Sequence, residues 1–163
     1  MKLPGTRVLF ALPAAACAGL LAFGYWLQYF RDQDPCPLCL VQRGFYYAIF
    51  VVFALAALHA PRRIGGAVYC GAALLAALGG LAVAARQVWL QHLPPDRVPD
   101  CGPDLLFMLK NLPIQRTLEK LLAGSGQCAE VNWQLLGLSI AEWSLAWFAV
   151  LALYALWLAL RRR

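Results

Sequence analysis

Four apolar runs divide the chain: Val8 to about Leu27, Leu40 to about Leu58, Ile64 to about Val88, and Ile140 to about Leu160. Each approaches or exceeds about 20 residues, the length that crosses the hydrocarbon core of a bilayer. Two short polar connections and one long one, about residues 89–139, lie between them. A soluble domain of this size does not need several such uninterrupted stretches. The pattern predicts an all-α membrane protein, a four-helix transmembrane bundle forming one integral membrane domain over residues 1–163. No strand pattern is visible.

The N-terminus admits a rival reading. Lys2 and Arg7 precede an apolar run, and Ala14-Ala15-Ala16 stands before Cys17, as at a cleaved signal. The run nevertheless continues through Leu20, Leu21, Phe23 and Tyr25 to Trp26, longer than a signal core. Pro13 is tolerable in a membrane helix, so residues 8–27 are read as a span.

The long connection has its own organisation. Pro94, Pro95, Pro99 and Pro103 surround Cys101, which predicts an extended, exposed loop. Ile114, Leu118, Leu121 and Leu122 then recur at helical spacing, opposite Gln115, Arg116, Glu119 and Lys120. Pro113 suits a helix start and Gly124 a stop. Such a short amphipathic helix lies flat on the membrane surface or packs on the bundle top. Cys128 follows in a Gly-Ser-Gly-Gln stretch, which reads as a second flexible arm. Ser139-Ile140-Ala141-Glu142 reads as a capping box opening the fourth span. Trp143 and Trp147 fall near the outer interface, where indoles are favoured.

Charge supplies orientation. Hydrophobic residues make up 62% of the chain and charged residues 13%, so the net charge of +6 comes from few positions. Lys2 and Arg7, Arg62 and Arg63, and Arg161 to Arg163 fall on one side of four spans. Asp32, Asp34, Asp96, Asp100, Asp104, Glu119, Glu130 and Glu142 fall on or near the other. Lys and Arg bias short loops toward the cytoplasm, while acids contribute little. Both termini and the 59–63 connection are therefore expected to be cytoplasmic, and the loops at about 28–39 and 89–139 periplasmic. The basic balance is topological and is no argument for nucleic acid. Cys36, Cys39, Cys101 and Cys128 all fall on the outer face, where disulfides persist.

Cys36-Pro37-Leu38-Cys39 stands where a polar loop meets the second span. Helix N-termini and nearby cations favour thiolates. Cys39 is near the first helical turn, and Arg43 lies one turn further on the same face, about 6 Å along the axis. Pro35 and Pro37 leave Cys36 in a turn, the more accessible of the pair. A zinc site or a structural disulfide also accounts for two cysteine pairs. The 26 residues between Cys101 and Cys128 and the prolines around them suit mobile arms better than a metal knuckle. Arg43 either snorkels to the interface or, beside Gln42 and above Tyr46, Tyr47 and Phe50, polarises the oxygen of a flat lipid-soluble ligand. For Arg86, snorkelling is the favoured reading. Cys17 and Cys70 read as small apolar fillers within spans.

A dithiol that oxidises a partner must pass its electrons on. The chain lacks C-x-x-C-H for haem, since Leu40 follows Cys39, and its two histidines, His59 and His92, fall at opposite membrane faces. No glycine-rich nucleotide fingerprint stands beside a strand. What remains is a two-electron acceptor dissolved in the bilayer, a description that fits a quinone.

Pro35-Cys36-Pro37-Leu38-Cys39-Leu40-Val41-Gln42-Arg43 resembles the signature of the DsbB family of bacterial disulfide bond formation proteins. The resemblance extends to Trp89-Leu90-Gln91, Pro94-Pro95, Cys101-Gly102, Gly126-Gln127-Cys128-Ala129-Glu130, Trp133 and Leu136-Gly137-Leu138, nearly the whole chain. It implies a thiol:quinone oxidoreductase of the bacterial inner membrane, the component that helps keep the periplasm oxidising. Cys101 and Cys128 would form the disulfide that oxidises a soluble thioredoxin-like oxidase, DsbA, with Cys101 taking the mixed disulfide. Exchange would reach Cys36–Cys39 through a transient Cys36–Cys128 bond. Cys39 would then deliver electrons to ubiquinone, or to menaquinone when oxygen is scarce, with Arg43, Gln42 and His92 as quinone contacts. Some relatives carry a quinone-linked histidine near the outer end of the third span. Alignment through Trp89-Leu90-Gln91 puts Val88 there and leaves His92 displaced. Two alternatives stand beside this reading. One is an enzyme like vitamin K epoxide reductase, whose loop pair precedes its C-x-x-C; the other is a scaffold locked by two disulfides.

Overall fold

The computed structural model describes residues 5–61, 63–98, 105–124, 126–131 and 133–161. Four long helices carry the fold: α1 (Thr6–Phe30), α2 (Pro37–His59), α3 (Arg63–Gln91) and a fourth over Ile140–Arg161. At 1.5 Å per residue the shortest, of 22 residues, is about 33 Å long, enough to cross a hydrocarbon core of about 30 Å. The protein is a four-helix membrane bundle. Pro13 stays inside α1, as its tolerance in membrane helices allows.

Between α3 and the last long helix the chain is more structured than its composition predicts. A 3₁₀ turn at Pro95–Arg97 is followed by α4 (Leu105–Asn111), α5 (Ile114–Ala123) and α6 (Gly126–Ala129). Helix α5 covers the amphipathic segment, but among the described residues it is one of three short helices. Contrary to the expectation of no strand, β1 (Gln134–Leu135) and β2 (Leu138–Ser139) pair antiparallel, with Leu135 opposite Leu138. The turn between them has Leu136 at φ 54° and Gly137 at φ 80°. Two successive positive φ values match the twist of a two-residue hairpin, a place usually marked by Asn-Gly or Asp-Gly. A leucine there concealed the turn. The last long helix is α7 (Ile140–Arg161). Its start is the capping box: Ser139 N donates to Glu142 Oε2 at 2.7 Å, and Glu142 N to Ser139 Oγ at 3.3 Å.

The bundle runs α1–α2–α3–α7, with α3 and α7 in the most extensive contact. The Tyr154 hydroxyl donates to the Leu9 carbonyl at 2.8 Å, joining α7 to α1. Phe10, Cys17, Ile49, Phe53, Cys70, Ala73, Phe148 and Leu158 are wholly buried in the core, so Cys17 and Cys70 do fill space between helices. Leu58, Ile64, Val68, Leu75 and Leu153 are exposed on the outside, as lipid contact requires. Gly80 sets the α3–α7 approach, because a Cβ there would run into the Phe148 ring. That ring stacks on Tyr46 at 4.2 Å, and the Tyr46 hydroxyl lies 3.1 Å from Ser144 Oγ. Close packing at Gly80 thus fixes one wall of the site described next.

Candidate active site

The site begins at the first turn of α2. Cys36 is its N-cap, with extended backbone, and its sulfur accepts from Cys39 N at 3.3 Å. Pro37, at N1, has no N–H to leave unsatisfied and holds a φ suited to a helix start. Sequence and capping together bring the two sulfurs to 2.9 Å. A disulfide needs about 2.05 Å, so the pair requires only a small closure to bond.

Cys128 completes the cluster from α6. Gly124 ends α5 at φ 81°, and a Cβ there would collide with Leu90. Only glycine combines that left-handed turn with so close an approach. The turn lays α6 on α2 and α3, where Cys128 is fully buried in one apolar cluster with Cys36, Leu38 and Leu90. Cys36 hydrogen-bonds both Cys128 and Cys39. Those two bonds, the one to Cys128 foremost, together with burial, push the Cys36 thiol well above the ordinary range. Two expectations fail here: Cys128 is not on a flexible arm, and Cys36 is the more buried of its pair, because α6 closes over the helix cap. Cys101, with Pro99 and Pro103 beside it, lies outside the described residues.

Cys39 and Cys36 both line a cavity of about 340 Å³. The size is that of a small-ligand pocket, largely apolar with a few convergent polar groups. Leu20, Leu21, Phe23 and Leu27 of α1 form one side, Tyr46 of α2 another, and Trp133, Trp143 and Trp147 a third. Arg43 and Gln42 open onto the same space. The Arg43 guanidinium donates to Gln28 Oε1 at 2.6 Å and to the Gly24 carbonyl at 3.0 Å, and lies 4.7 Å from the Tyr25 ring centroid. It is half-buried, held across the gap to α1. The aromatic stripe expected below it divides: Tyr46 is buried in the cavity wall, Phe50 packs on the core, and Tyr47 is exposed, its hydroxyl on Tyr25. Arg86 lies over the Trp89 ring at 4.2 Å.

Sequence reasoning overlooked Gln87. It is 4% exposed within α3, and its amide reaches Gln42 and both sulfurs of the C-x-x-C pair. Its separation from Cys39 by 48 positions leaves no local signal; an amide inside an apolar run was the only trace. His92, by contrast, is exposed past the end of α3, its Nδ1 2.9 Å from the Val88 carbonyl, and is absent from the cavity lining.

Comparison with known proteins decides the family. A family profile described as "Disulfide bond formation protein DsbB" matches residues 6–158. The chain belongs to the DsbB family. Among its relatives, disulfide bond formation protein B of Azoarcus sp. (strain BH72) is 46% identical over 157 residues, covering 96% of this chain and 94% of the relative. The protein of that name from Hahella chejuensis is 47% identical over 142 residues, covering 87% and 86%. That of Chromobacterium violaceum is 45% identical over 154 residues, covering 94% and 93%. As a DsbB-family member the chain has a disulfide-forming redox role, and Cys36 and Cys39 lie beside the cavity with Cys128 in one cluster with Cys36.

Proposed function

We propose that this protein re-oxidises a soluble dithiol oxidase of thioredoxin fold, DsbA-like, in the periplasm and passes the electrons to membrane quinone. The observation that carries the reading is the position of Cys36, hydrogen-bonded to both Cys128 and Cys39, with the Cys36–Cys39 pair lining the cavity that also holds Arg43. On this reading the redox loops are periplasmic, both termini are cytoplasmic, and the bilayer is the bacterial inner membrane. Basic residues at the helix ends support the orientation.

The exchange runs through four thiol–disulfide steps. A partner thiolate attacks Cys101 of a Cys101–Cys128 disulfide and releases the Cys128 thiolate. That thiolate attacks Cys36 of a Cys36–Cys39 disulfide, forming Cys36–Cys128 and releasing Cys39 as thiolate. The partner's second thiol then resolves its bond to Cys101, and the freed Cys101 attacks Cys128, restoring the loop disulfide and freeing Cys36. The net change so far is one partner disulfide gained and one Cys36–Cys39 dithiol formed. Dithiol and quinone then give disulfide and quinol, two electrons and two protons moving together, so no further reductant is needed. The cavity fits this acceptor: apolar walls admit a lipid-soluble ring, and Arg43 offers a fixed cation for a ring oxygen. Ubiquinone, or menaquinone when oxygen is scarce, supplies the electron sink.

Anaerobic titration tests the reading. Purified protein with bound quinone is mixed with increasing amounts of reduced thioredoxin-like partner. Quinone absorbance is expected to fall by one equivalent per partner disulfide formed. Partner oxidation without loss of quinone absorbance would contradict it.

A further inference from the structure

The buried amide pair Gln42–Gln87 does more than join α2 to α3. Gln42 Nε2 donates to Gln87 Oε1 at 2.6 Å, which orients the Gln87 amide. Its other end, Nε2, is thereby turned to the sulfurs, 3.2 Å from Cys39 Sγ and 3.4 Å from Cys36 Sγ. Cys39 Sγ also lies 3.6 Å from Gln87 Oε1. A pair that served only to bridge helices would account for the 2.6 Å bond but not for the aim of the second donor. Burying amides inside a membrane span is costly unless each group is met, and here the sulfurs meet them.

We propose that Gln87 is a catalytic residue of the C-x-x-C pair, a preorganised donor for the sulfur that leaves when Cys36 is attacked, and that Gln42 positions it. The assignment rests on the exchange sequence proposed above. In that step the Cys128 sulfur bonds to Cys36, the Cys36–Cys39 bond breaks, and the electron pair remains on Cys39. Negative charge develops where Gln87 N–H already points, so stabilisation needs no reorganisation. A better-stabilised leaving thiolate leaves faster. Because the amide also has an acceptor within reach of the protonated thiol, it accommodates both states of Cys39 without taking up a proton. The donor is neutral at every working pH, unlike a histidine or lysine in its place.

The test uses the full-length protein in detergent, reduced, with neither partner nor quinone present. Iodoacetamide alkylation of Cys39 is followed by mass spectrometry across a pH series. Gln87→Met, which keeps the shape and deletes the amide, is expected to slow Cys39 alkylation at pH 7 about tenfold, the worth of one hydrogen bond to a charged group, and to shift the profile to higher pH. Gln87→Glu keeps an acceptor for Gln42 but removes the sulfur donor, and is expected to shift it in the same direction. Gln42→Leu should give a smaller shift, and none when added to Gln87→Met. Wild-type profiles in both Gln87 variants would overturn the assignment and leave the proposed function standing. Shifted profiles in a protein that never reduces quinone would support Gln87 as sulfur donor while refuting the electron exit.

Discussion

Replacing Cys39 with Ser is expected to stop quinone reduction, by roughly a thousandfold or more, the scale seen when a covalent catalytic group is removed. A serine hydroxyl neither closes a disulfide with Cys36 nor leaves as a stabilised anion. The change is nearly isosteric, and Cys36 would still cap α2, since it is the Cys39 backbone N–H that donates to its sulfur. The partner should still attack the Cys101–Cys128 disulfide, so the variant separates entry of electrons from exit. Two measurements check it: quinone absorbance on mixing with reduced partner, and the mixed disulfide with Cys101 on a non-reducing gel. A Cys39→Ser protein that reduces quinone at the normal rate would place the exit elsewhere.

The second large effect is expected at Arg43. Arg43→His should raise the quinone concentration giving half-maximal rate about tenfold, on the scale of one charge-assisted hydrogen bond, while the rate of partner attack on the loop disulfide stays at the wild-type value. The guanidinium is fixed by Gln28 Oε1, the Gly24 carbonyl and the Tyr25 ring, and a Cβ at Gly24 would lie 3.6 Å from its nitrogens. Histidine is too short to keep both α1 partners and still face the cavity. Steady-state kinetics with a soluble short-chain quinone measures the shift. An unchanged half-saturation value would reduce Arg43 to a brace between α1 and α2.

Much of this architecture was legible as pattern. Four apolar runs become four helices because, in lipid, a helix satisfies every backbone group within the segment. Ser139 and Glu142 announced the α7 start, and the amphipathic period over residues 114–122 announced α5. The C-x-x-C pair and Arg43 follow from spacing along one helix. What stayed hidden depends on approach between distant segments. Cys128 looked mobile because glycines flank it, yet the left-handed turn at Gly124 is what packs it on Cys36. Cys36 looked accessible because prolines hold it out of the helix, yet α6 covers it. The hairpin at residues 134–139 escaped notice because Leu136 occupies a position where asparagine or aspartate is usual. Gln87 has no neighbour in sequence that hints at sulfur; only the α2–α3 packing brings its amide to the reacting pair.

The central claim is that Cys36 relays electrons between the loop pair and Cys39. Its most direct test mixes the oxidised protein with a thioredoxin-like partner reduced and carrying only its attacking cysteine, so that the mixed disulfide cannot be resolved. After acid quench and thiol blocking, non-reducing peptide mass spectrometry reads the connectivity. The account predicts a partner–Cys101 bond together with a Cys36–Cys128 bond, and Cys39 blocked as a free thiol. A partner–Cys101 bond with Cys36–Cys39 still closed and Cys128 blocked would contradict it.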